Sequence, residues 1–229
     1  MHGIGRNQRI MRRKINCIGI GVQKAGTSWL AEALNQHPEV YIHPKKECHF
    51  FNKKKFYLNR FHYEKTFKHN NQKIIGEITP AYILSEKTAK RIYSYNSKVK
   101  IIVITRNPVE RAISQYKMEI GRNNFNKNIP FIEIFKTNQA DIRERGHYNK
   151  QLEKYYKYFS SNQILVAEYE MLKKEPYTFI EKIYNFLDIE SNYVPECISK
   201  TIRHVKDKPE NIFVSKSDIK YITEYYSRI

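Results

Sequence analysis

The architecture of the chain can be read outward from residues 15–34, whose sequence is INCIGIGVQKAGTSWLAEAL. Residues 15–22 form a short apolar run that contains glycine, and WLAEAL continues at helical spacing after the polar turn QKAGTS. A buried strand, a tight turn and a helix are therefore predicted in direct succession. The junction of such a strand and helix presents backbone N–H groups and the positive end of the helix dipole, which together favour an anion.

Apolar runs alternate with helical patterns along the rest of the chain. Strands are predicted at 40–43, 73–78, 98–105 and 164–169, and helices at about 85–95, 109–120, 129–137, 148–159 and 177–187, before a last aromatic-rich helix. The run KVKIIVIT at 98–105 is β-branched on both faces, as a strand buried in a parallel sheet requires. Strands that alternate with helices predict an α/β protein with a central parallel sheet and helices on both faces.

Length and composition restrict the class of protein. With 229 residues, 41% hydrophobic and 14% aromatic, the chain is long enough for one domain with a full core, and it is neither disordered nor fibrous. We expect a single domain over 1–229 with a basic N-terminal extension at 1–14. No apolar run approaches the ~20 residues of a membrane span, no secretory signal is visible at the start, and three scattered cysteines suit a reducing compartment. These features predict a cytoplasmic protein, with a trimmed lumenal domain as the alternative.

The charge balance points to an anionic partner. The chain has 41 Lys and Arg residues against 23 Asp and Glu residues, a formal net charge of +18. A nucleotide, a polyanionic glycan, an acidic membrane or nucleic acid would each suit this balance. Nucleic acid is not favoured, because no zinc-finger, basic-zipper or RNP pattern is present.

The segment GVQKAGTSWL has the residues of a phosphate-binding turn. Gly26 allows the backbone to close tightly, Thr27 and Ser28 offer hydroxyls, and Lys24 offers a mobile positive charge. The alternative is a tight strand–helix turn with an incidental lysine. An ATP- or GTP-binding P-loop would place its lysine directly after the last glycine, whereas Lys24 precedes Gly26.

A second phosphate-binding element follows the strand KIIVIT. P-loop enzymes hold a metal with an Asp beside the phosphates, but this strand ends in Arg106. Its planar guanidinium suits bidentate phosphate contacts, and Ser114 lies two turns into the next helix, where it could face the same anion. Arg111 is interpreted as a solvated or structural charge. The two elements together predict a site for a nucleotide with two separate phosphate groups and without a metal.

These motifs carry a family resemblance. QKAGTSWL resembles the 5′-phosphosulfate-binding loop of the sulfotransferases that use 3′-phosphoadenosine 5′-phosphosulfate (PAPS), and TRNPVERAISQY resembles their 3′-phosphate-binding segment. ECHFF, GEITPAYIL, GHYNKQLEKYYKYF and ILVAEYEML are similar to the carbohydrate-acting branch, which includes heparan sulfate sulfotransferases, and the similarity runs from about residue 16 to 188. The resemblance implies a P-loop NTPase-like three-layer fold. It also implies these nucleotide-binding residues: Lys24, Ala25, Gly26, Thr27, Ser28, Trp29, Arg106 and Ser114.

The resemblance further implies that Glu47, two residues before HFF, is the general base. An acceptor hydroxyl or amine must lose its proton as it attacks sulfur, and a positioned carboxylate can take it. Lys24 would stabilise the charge that develops on the leaving oxygen. Lys45 and Lys46 either keep Glu47 ionised or hold an acidic acceptor. His49 is interpreted as a packing or orienting residue, with a role as base as the alternative.

The chain departs from the family pattern at two places. Glycosaminoglycan-acting members carry Lys in the segment that matches GEITPAY, where this chain has Ile78. The C-terminal segment at 190–229, expected to close over the nucleotide, contains no glycine, so its basic role would fall to Arg203, Lys206 or Lys208. We expect PAPS as the donor, a carbohydrate or acidic acceptor and no metal. The alternatives are a nucleotide kinase or NTPase and a non-catalytic module that binds polyanions.

Overall fold

The computed structural model of the protein describes residues 13–54, 56–199 and 212–228. Its centre is one sheet of five parallel strands in the order β2-β3-β1-β4-β5. The strands are β1 (Cys17–Gly21), β2 (Val40–Ile42), β3 (Ile74–Ile78), β4 (Lys100–Thr105) and β5 (Ile164–Glu168). All five were predicted from the sequence, and their observed ends lie within two residues of the predicted ones.

Nine α-helices connect and flank these strands in the described part of the chain. They are α1 (Thr27–Gln36), α2 (Arg60–Lys65), α3 (Glu86–Tyr95), α4 (Pro108–Gly121), α5 (Phe131–Lys136), α6 (Tyr148–Tyr156), α7 (Tyr169–Lys174), α8 (Pro176–Leu187) and α9 (Lys216–Ser227). The predicted helices are confirmed, although the one expected at 129–137 is shorter at both ends. The six-residue helices α2 and α7 were not predicted. No helix among the described residues has the length and apolar character that crossing a membrane requires.

The helices cover both faces of the sheet. Trp29 on α1 packs edge-on against Phe179 on α8, with ring centroids 6.0 Å apart, so these two helices share one face. Helices α3 and α6 contact each other. Right-handed crossovers from β1 to β2 and from β3 to β4 run in opposite directions along the sheet, which puts α1 and α3 on opposite faces. The three-layer α/β fold resembling P-loop NTPases is thereby confirmed.

The parallel strands form the centre of the core and bring the segments of the site together at one edge of the sheet. Every residue of β1 and β3 is buried, as central parallel strands require. A smaller apolar cluster lies between α4, α5 and α9 and includes Ile222, which is fully buried. Because the strands are parallel, the segments that follow β1, β3 and β4 meet at the same edge of the sheet. The predicted roles of Arg203, Lys206 and Lys208 lie outside the described residues.

Candidate active site

The turn after β1 has the geometry of an anion-binding loop. The N–H of Val22 donates to the carbonyl of Ile104 on β4 at 2.8 Å, which fixes the start of the loop. Gly26 precedes α1 with φ of 82°, and an added Cβ there would lie 2.8 Å from Leu172 Cδ2. Both features require glycine. Because glycine has no side chain to cap the helix, the positive end of α1 is left to a ligand.

Arg106 meets this loop from the neighbouring strand. Its Nη1 donates to the backbone carbonyl of Lys24 at 3.0 Å, and its guanidinium lies 4.6 Å from the ring centroid of Tyr169. Glu110 accepts from Nη2 at 2.9 Å, and the hydroxyl of Tyr148 donates to the Arg106 carbonyl at 2.8 Å. The two predicted phosphate-binding elements are therefore in contact, although 82 residues separate them in the chain.

Helix α4 begins directly after this arginine. The side chain of Asn107 caps the helix by accepting from the N–H groups of Val109 and Glu110. Ser114 is buried further along the helix. Arg111 is fully buried and donates to Gln115 Oε1 at 2.6 Å and to the carbonyl of Ile142. Of the two roles considered for Arg111, a structural charge is confirmed.

Glu47 lies at the end of β3, beside the loop. Its backbone N–H donates to the carbonyl of Ile78 at 3.1 Å, and its φ of 68° is in the left-handed region. Its Oε2 lies 3.3 Å from Nε2 of His49, and the two side chains are 43% and 40% exposed. The imidazole therefore contacts one oxygen of the carboxylate, as an orienting role for His49 requires.

Lys46 brings a further positive charge to the loop. Its Nζ donates to Ser28 Oγ and, at 3.5 Å, to Thr27 Oγ1. Burial lowers the pKa of Lys46, and the adjacent Glu47 opposes that shift. The ammonium thus lies on the first turn of α1, against the two hydroxyls that the sequence assigned to phosphate. Sequence reasoning considered Lys46 only as a partner of Glu47 or of the acceptor.

The geometry agrees with the family resemblance, and a family model supports it directly. The model described as "Sulfotransferase domain" matches residues 16–216. The chain belongs to the sulfotransferase family. The solved sulfotransferase from Alicyclobacillus acidocaldarius superposes on this sulfotransferase domain with a TM-score of 0.79 and 25% identity, covering 94% of this chain and 92% of that one.

Two curated relatives extend the comparison. The chain is 38% identical over 143 residues to the membrane-associated sulfotransferase kil1 of Dictyostelium discoideum. The aligned region covers 58% of this chain and 30% of the relative. It is 33% identical over 181 residues to heparan sulfate glucosamine 3-O-sulfotransferase 5 of Mus musculus, covering 74% of this chain and 52% of the relative. The sulfotransferase domain described here therefore spans about half, or less, of these relatives.

Trp29 and Ala25 are two of the predicted nucleotide-binding residues whose side chains are buried in the sulfotransferase domain. Trp29 packs in the core, and its indole N–H donates to the carbonyl of Cys197 at 3.2 Å. Ala25 is fully buried, and its N–H donates to the carbonyl of Val22 at 3.3 Å. Any contact of Trp29 with the nucleotide rests on its backbone, since the indole serves the packing of α1 against the C-terminal part of the chain.

A buried carboxylate that sequence reasoning missed anchors the segment after Glu47. Glu77 on β3 is 1% exposed and accepts hydrogen bonds from the hydroxyls of Tyr63 at 2.5 Å, Thr79 at 2.7 Å and Tyr82 at 3.1 Å. The Tyr82 oxygen in turn accepts from the N–H of Phe51 at 3.2 Å. Burial and the charge of Glu77 raise the pKa of Tyr63 and Tyr82, so both phenols stay protonated and keep donating.

No set of three or more His, Cys, Asp and Glu side chains in the described ranges is arranged to hold a metal ion. Cys48 lies next to Glu47, and its thiol donates to the carbonyl of Lys45 at 3.4 Å. Burial and the nearby Glu77 raise the pKa of Cys48. A thiol held in the protonated form is a weak nucleophile, so covalent catalysis by Cys48 is not favoured.

Proposed function

We propose that the chain is a sulfotransferase that moves the sulfuryl group of PAPS to a hydroxyl or amine of a carbohydrate acceptor. The observation that carries the proposal is the hydrogen bond from Arg106 Nη1 to the carbonyl of Lys24. It joins two cationic segments at one edge of the sheet. A nucleotide with phosphate groups at both its 5′ and 3′ ends suits such a pair of sites.

The residues at the loop fit the 5′ end of this donor. Lys24, Gly26, Thr27 and Ser28 would hold the phosphosulfate, with the N-terminus of α1 supplying backbone donors. Lys46 Nζ already lies against Ser28 and Thr27, so it adds a third cation to Lys24 and Arg106. Arg106 and Ser114 would hold the 3′-phosphate. Because cationic side chains provide the neutralisation, we expect binding without a metal.

The reaction needs a base and a group that stabilises the negative charge of the leaving group. When bound, PAPS supplies an activated sulfuryl group. Glu47 would take the proton of the acceptor as the acceptor oxygen or nitrogen bonds to sulfur. Lys24 would stabilise the negative charge on the phosphate oxygen from which sulfur departs. His49, 3.3 Å from Glu47, would keep the carboxylate in place.

Two further features of the chain bear on the acceptor and the compartment. The net charge of +18 and the name of the heparan sulfate relative support an acidic carbohydrate acceptor. No disulfide joins Cys17, Cys48 and Cys197, all of which lie in the described ranges, and Cys17 and Cys197 are buried; this supports a cytoplasmic location as part of the same proposal.

Nucleotide selectivity tests the proposal. Binding of adenosine 3′,5′-bisphosphate, ADP and ATP, each with and without Mg²⁺, is measured by calorimetry for the wild-type chain and for Arg106→Ala. We expect the bisphosphate to bind without Mg²⁺ and at least tenfold more tightly than ADP, and we expect Arg106→Ala to remove that preference. Transfer of labelled sulfate from PAPS to heparan-type oligosaccharides then tests the activity itself.

The alternatives give different results in the same experiment. Tight binding of ATP that depends on Mg²⁺ would identify a kinase or NTPase. Salt-sensitive binding of heparin or nucleic acid without a preference for any nucleotide would identify a polyanion-binding module. Either result would overturn the proposal.

A further inference from the structure

Arg145 lies beside the phosphate-binding loop, although 122 residues separate it from the loop residue that it contacts. It belongs to the one-turn 3-10 helix Glu144–Gly146, between α5 and α6. Its Nε donates to the carbonyl of Ala140 at 3.1 Å and its Nη1 to Gln23 Oε1 at 3.4 Å. Gln23 directly precedes Lys24, so the guanidinium of Arg145 is held at the start of the loop.

The charge of Arg145 is weakly neutralised. The side chain is only 20% exposed, and its one ion pair among the described residues is with Asp141, at 3.9 Å. The Asp141 side chain is 65% exposed. A pair that long and that exposed to water neutralises little charge.

A second guanidinium adds to the local excess of positive charge. Arg111 is fully buried, takes part in no ion pair in the described ranges, and its Nε has no hydrogen-bond partner there. Burial lowers the pKa of Arg145, Asp141 opposes that shift, Arg111 adds to it, and Glu119 and Glu47 oppose it more weakly. Two such cations in a partly buried region raise the free energy of the folded protein unless an anion neutralises them.

The surroundings of Arg145 indicate where the anion that would neutralise it comes from. Gln23, which Arg145 contacts, precedes Lys24 in the loop that would hold the donor. Lys46 contacts Ser28 in the same loop and is adjacent to Glu47 in the chain, so Arg145 and the residue that would receive the acceptor's proton converge on one loop. Glu47 also favours the charged form of Arg145. A substituent next to the reacting group of the acceptor would come within its reach.

We propose that Arg145 binds an oxyanion of the acceptor saccharide, a carboxylate or a sulfate, next to the group that receives sulfate. This inference rests on the proposed function. A planar guanidinium can donate two parallel hydrogen bonds to either oxyanion. Arg145 is thus a residue that determines specificity for acidic acceptors, distinct from the nucleotide-binding cations Lys24, Lys46 and Arg106.

The C-terminal helix holds this arginine in place. Gly146 packs so closely against Tyr226 of α9 that an added Cβ would lie 2.5 Å from the phenol ring. The Tyr226 hydroxyl donates to the carbonyl of Arg143 at 2.8 Å. Tyr226 therefore contacts the turn on either side of Arg145 in the sequence, at Arg143 and at Gly146. This limits the conformational entropy lost when Arg145 binds an anion.

Three hexasaccharides that differ only in their anionic groups test the inference. They are heparosan, with carboxylates only; its carboxyl-reduced form, which is neutral; and a carboxyl-reduced, N-sulfated form, with sulfates only. Calorimetry with saturating adenosine 3′,5′-bisphosphate measures their affinities for the wild-type chain, Arg145→Met and Arg145→Lys. Arg143→Met is the matched control, because Arg143 lies two residues away and contacts Lys136 and Tyr225 instead.

We expect the wild-type chain to bind at least one charged hexasaccharide about 10–100-fold more tightly than the neutral one, the gain typical of one charge-assisted contact. The charged hexasaccharide that binds more tightly than the neutral one identifies the oxyanion as a carboxylate or a sulfate. The preference should fall below threefold in Arg145→Met, persist in part in Arg145→Lys and remain in Arg143→Met. The affinity for the bisphosphate should stay within threefold in all four proteins, and equal melting temperatures would exclude a loss of fold.

Three results would overturn the inference. They are a preference that survives in Arg145→Met, no preference in the wild-type chain, and a loss of bisphosphate affinity in Arg145→Met, which would assign the arginine to the nucleotide. Failure of the wild-type chain to bind the bisphosphate would instead reject the proposed function, and this inference with it.

Discussion

The ammonium of Lys46 contacts Ser28 Oγ at the first turn of α1, so a lysine from the segment after β2 lies in the phosphate-binding loop. The two residues are 18 positions apart, and β3 lies between β2, which Lys46 follows, and β1, which Ser28 follows, in the sheet. The ammonium of a partly buried lysine that contacts two hydroxyls is stabilised much more when an anion replaces those neutral partners. This contact leads to the first two predictions.

Replacing Lys46 with methionine should weaken the binding of adenosine 3′,5′-bisphosphate about 10–100-fold, because one charge-assisted contact with the 5′-phosphate is lost. Methionine keeps the apolar part of the side chain, so the fold should be unchanged. Calorimetry measures the dissociation constant. Lys45→Met is the control, since Lys45 is exposed and should keep the wild-type affinity. A change below threefold in Lys46→Met would show that Lys46 does not contact the nucleotide.

The affinity for the bisphosphate should also fall as the pH rises towards 10. Burial lowers the pKa of Lys46, so its ammonium loses the proton at a lower pH than an ordinary lysine, and the attraction for phosphate is lost with it. Lys46→Arg should remove this part of the pH dependence, because a guanidinium stays charged throughout. Titrations from pH 7 to 10 measure it, and equal slopes for the two proteins would contradict the prediction.

The same shift has an opposite consequence for the free chain. The folded protein binds the Lys46 proton less tightly than the unfolded protein does, so the unfolded state carries more protons between the lowered pKa and the ordinary value of about 10.4. The contribution of Lys46 to the free energy of unfolding therefore rises with pH across this window. Urea unfolding without ligand should show a rise in the wild-type chain that is absent in Lys46→Met.

Replacing Glu47 with glutamine should lower kcat about 10²–10⁴-fold, the usual contribution of a general base. The amide keeps the size of the side chain and can still contact His49, so the dissociation constant for the bisphosphate should stay within threefold. The measurement is the turnover of labelled PAPS with an acidic oligosaccharide. Glu181→Gln, at an exposed position on α8, is the control and should keep full activity. Undiminished turnover in Glu47→Gln would exclude Glu47 as the base.

Much of the fold could be predicted from the sequence, because its signals are local. Continuous apolar runs such as 98–105 are typical of strands buried on both faces, and Gly26 marks the turn between β1 and α1. Helices α2 and α7 were missed because six residues contain less than two turns, too few for an apolar periodicity to appear. Helix α5 is equally short, but it was predicted as part of a longer helical pattern at 129–137.

The site was only partly predictable, because its contacts depend on how distant segments meet. Lys24 and Arg106 were predicted from a strand–helix turn and from the end of a buried strand, and Glu47 from resemblance to a short motif. The contact of Lys46 with Ser28 depends on where the segment after β2 turns back across the sheet. The contact of Arg145 with Gln23 depends on the path of the connection between α5 and α6. Neither residue lies in a motif that predicts its partner.

The last prediction concerns the glycine that shapes the loop. Gly26→Ala should lower the free energy of unfolding by more than the roughly 1–2 kcal/mol that a left-handed backbone costs an alanine, since the new Cβ would also lie 2.8 Å from Leu172 Cδ2. Urea unfolding of a double-mutant cycle separates the two parts. In the Leu172→Ala background the part of the steric cost that comes from Leu172 should vanish, so that Gly26→Ala costs less there. The backbone part and the contact with Tyr169, whose Cδ2 would lie 3.1 Å from the new Cβ, remain. Equal costs in both backgrounds would mean that Leu172 moves aside at no expense, and that the backbone conformation and Tyr169 explain why a glycine stands at the head of α1.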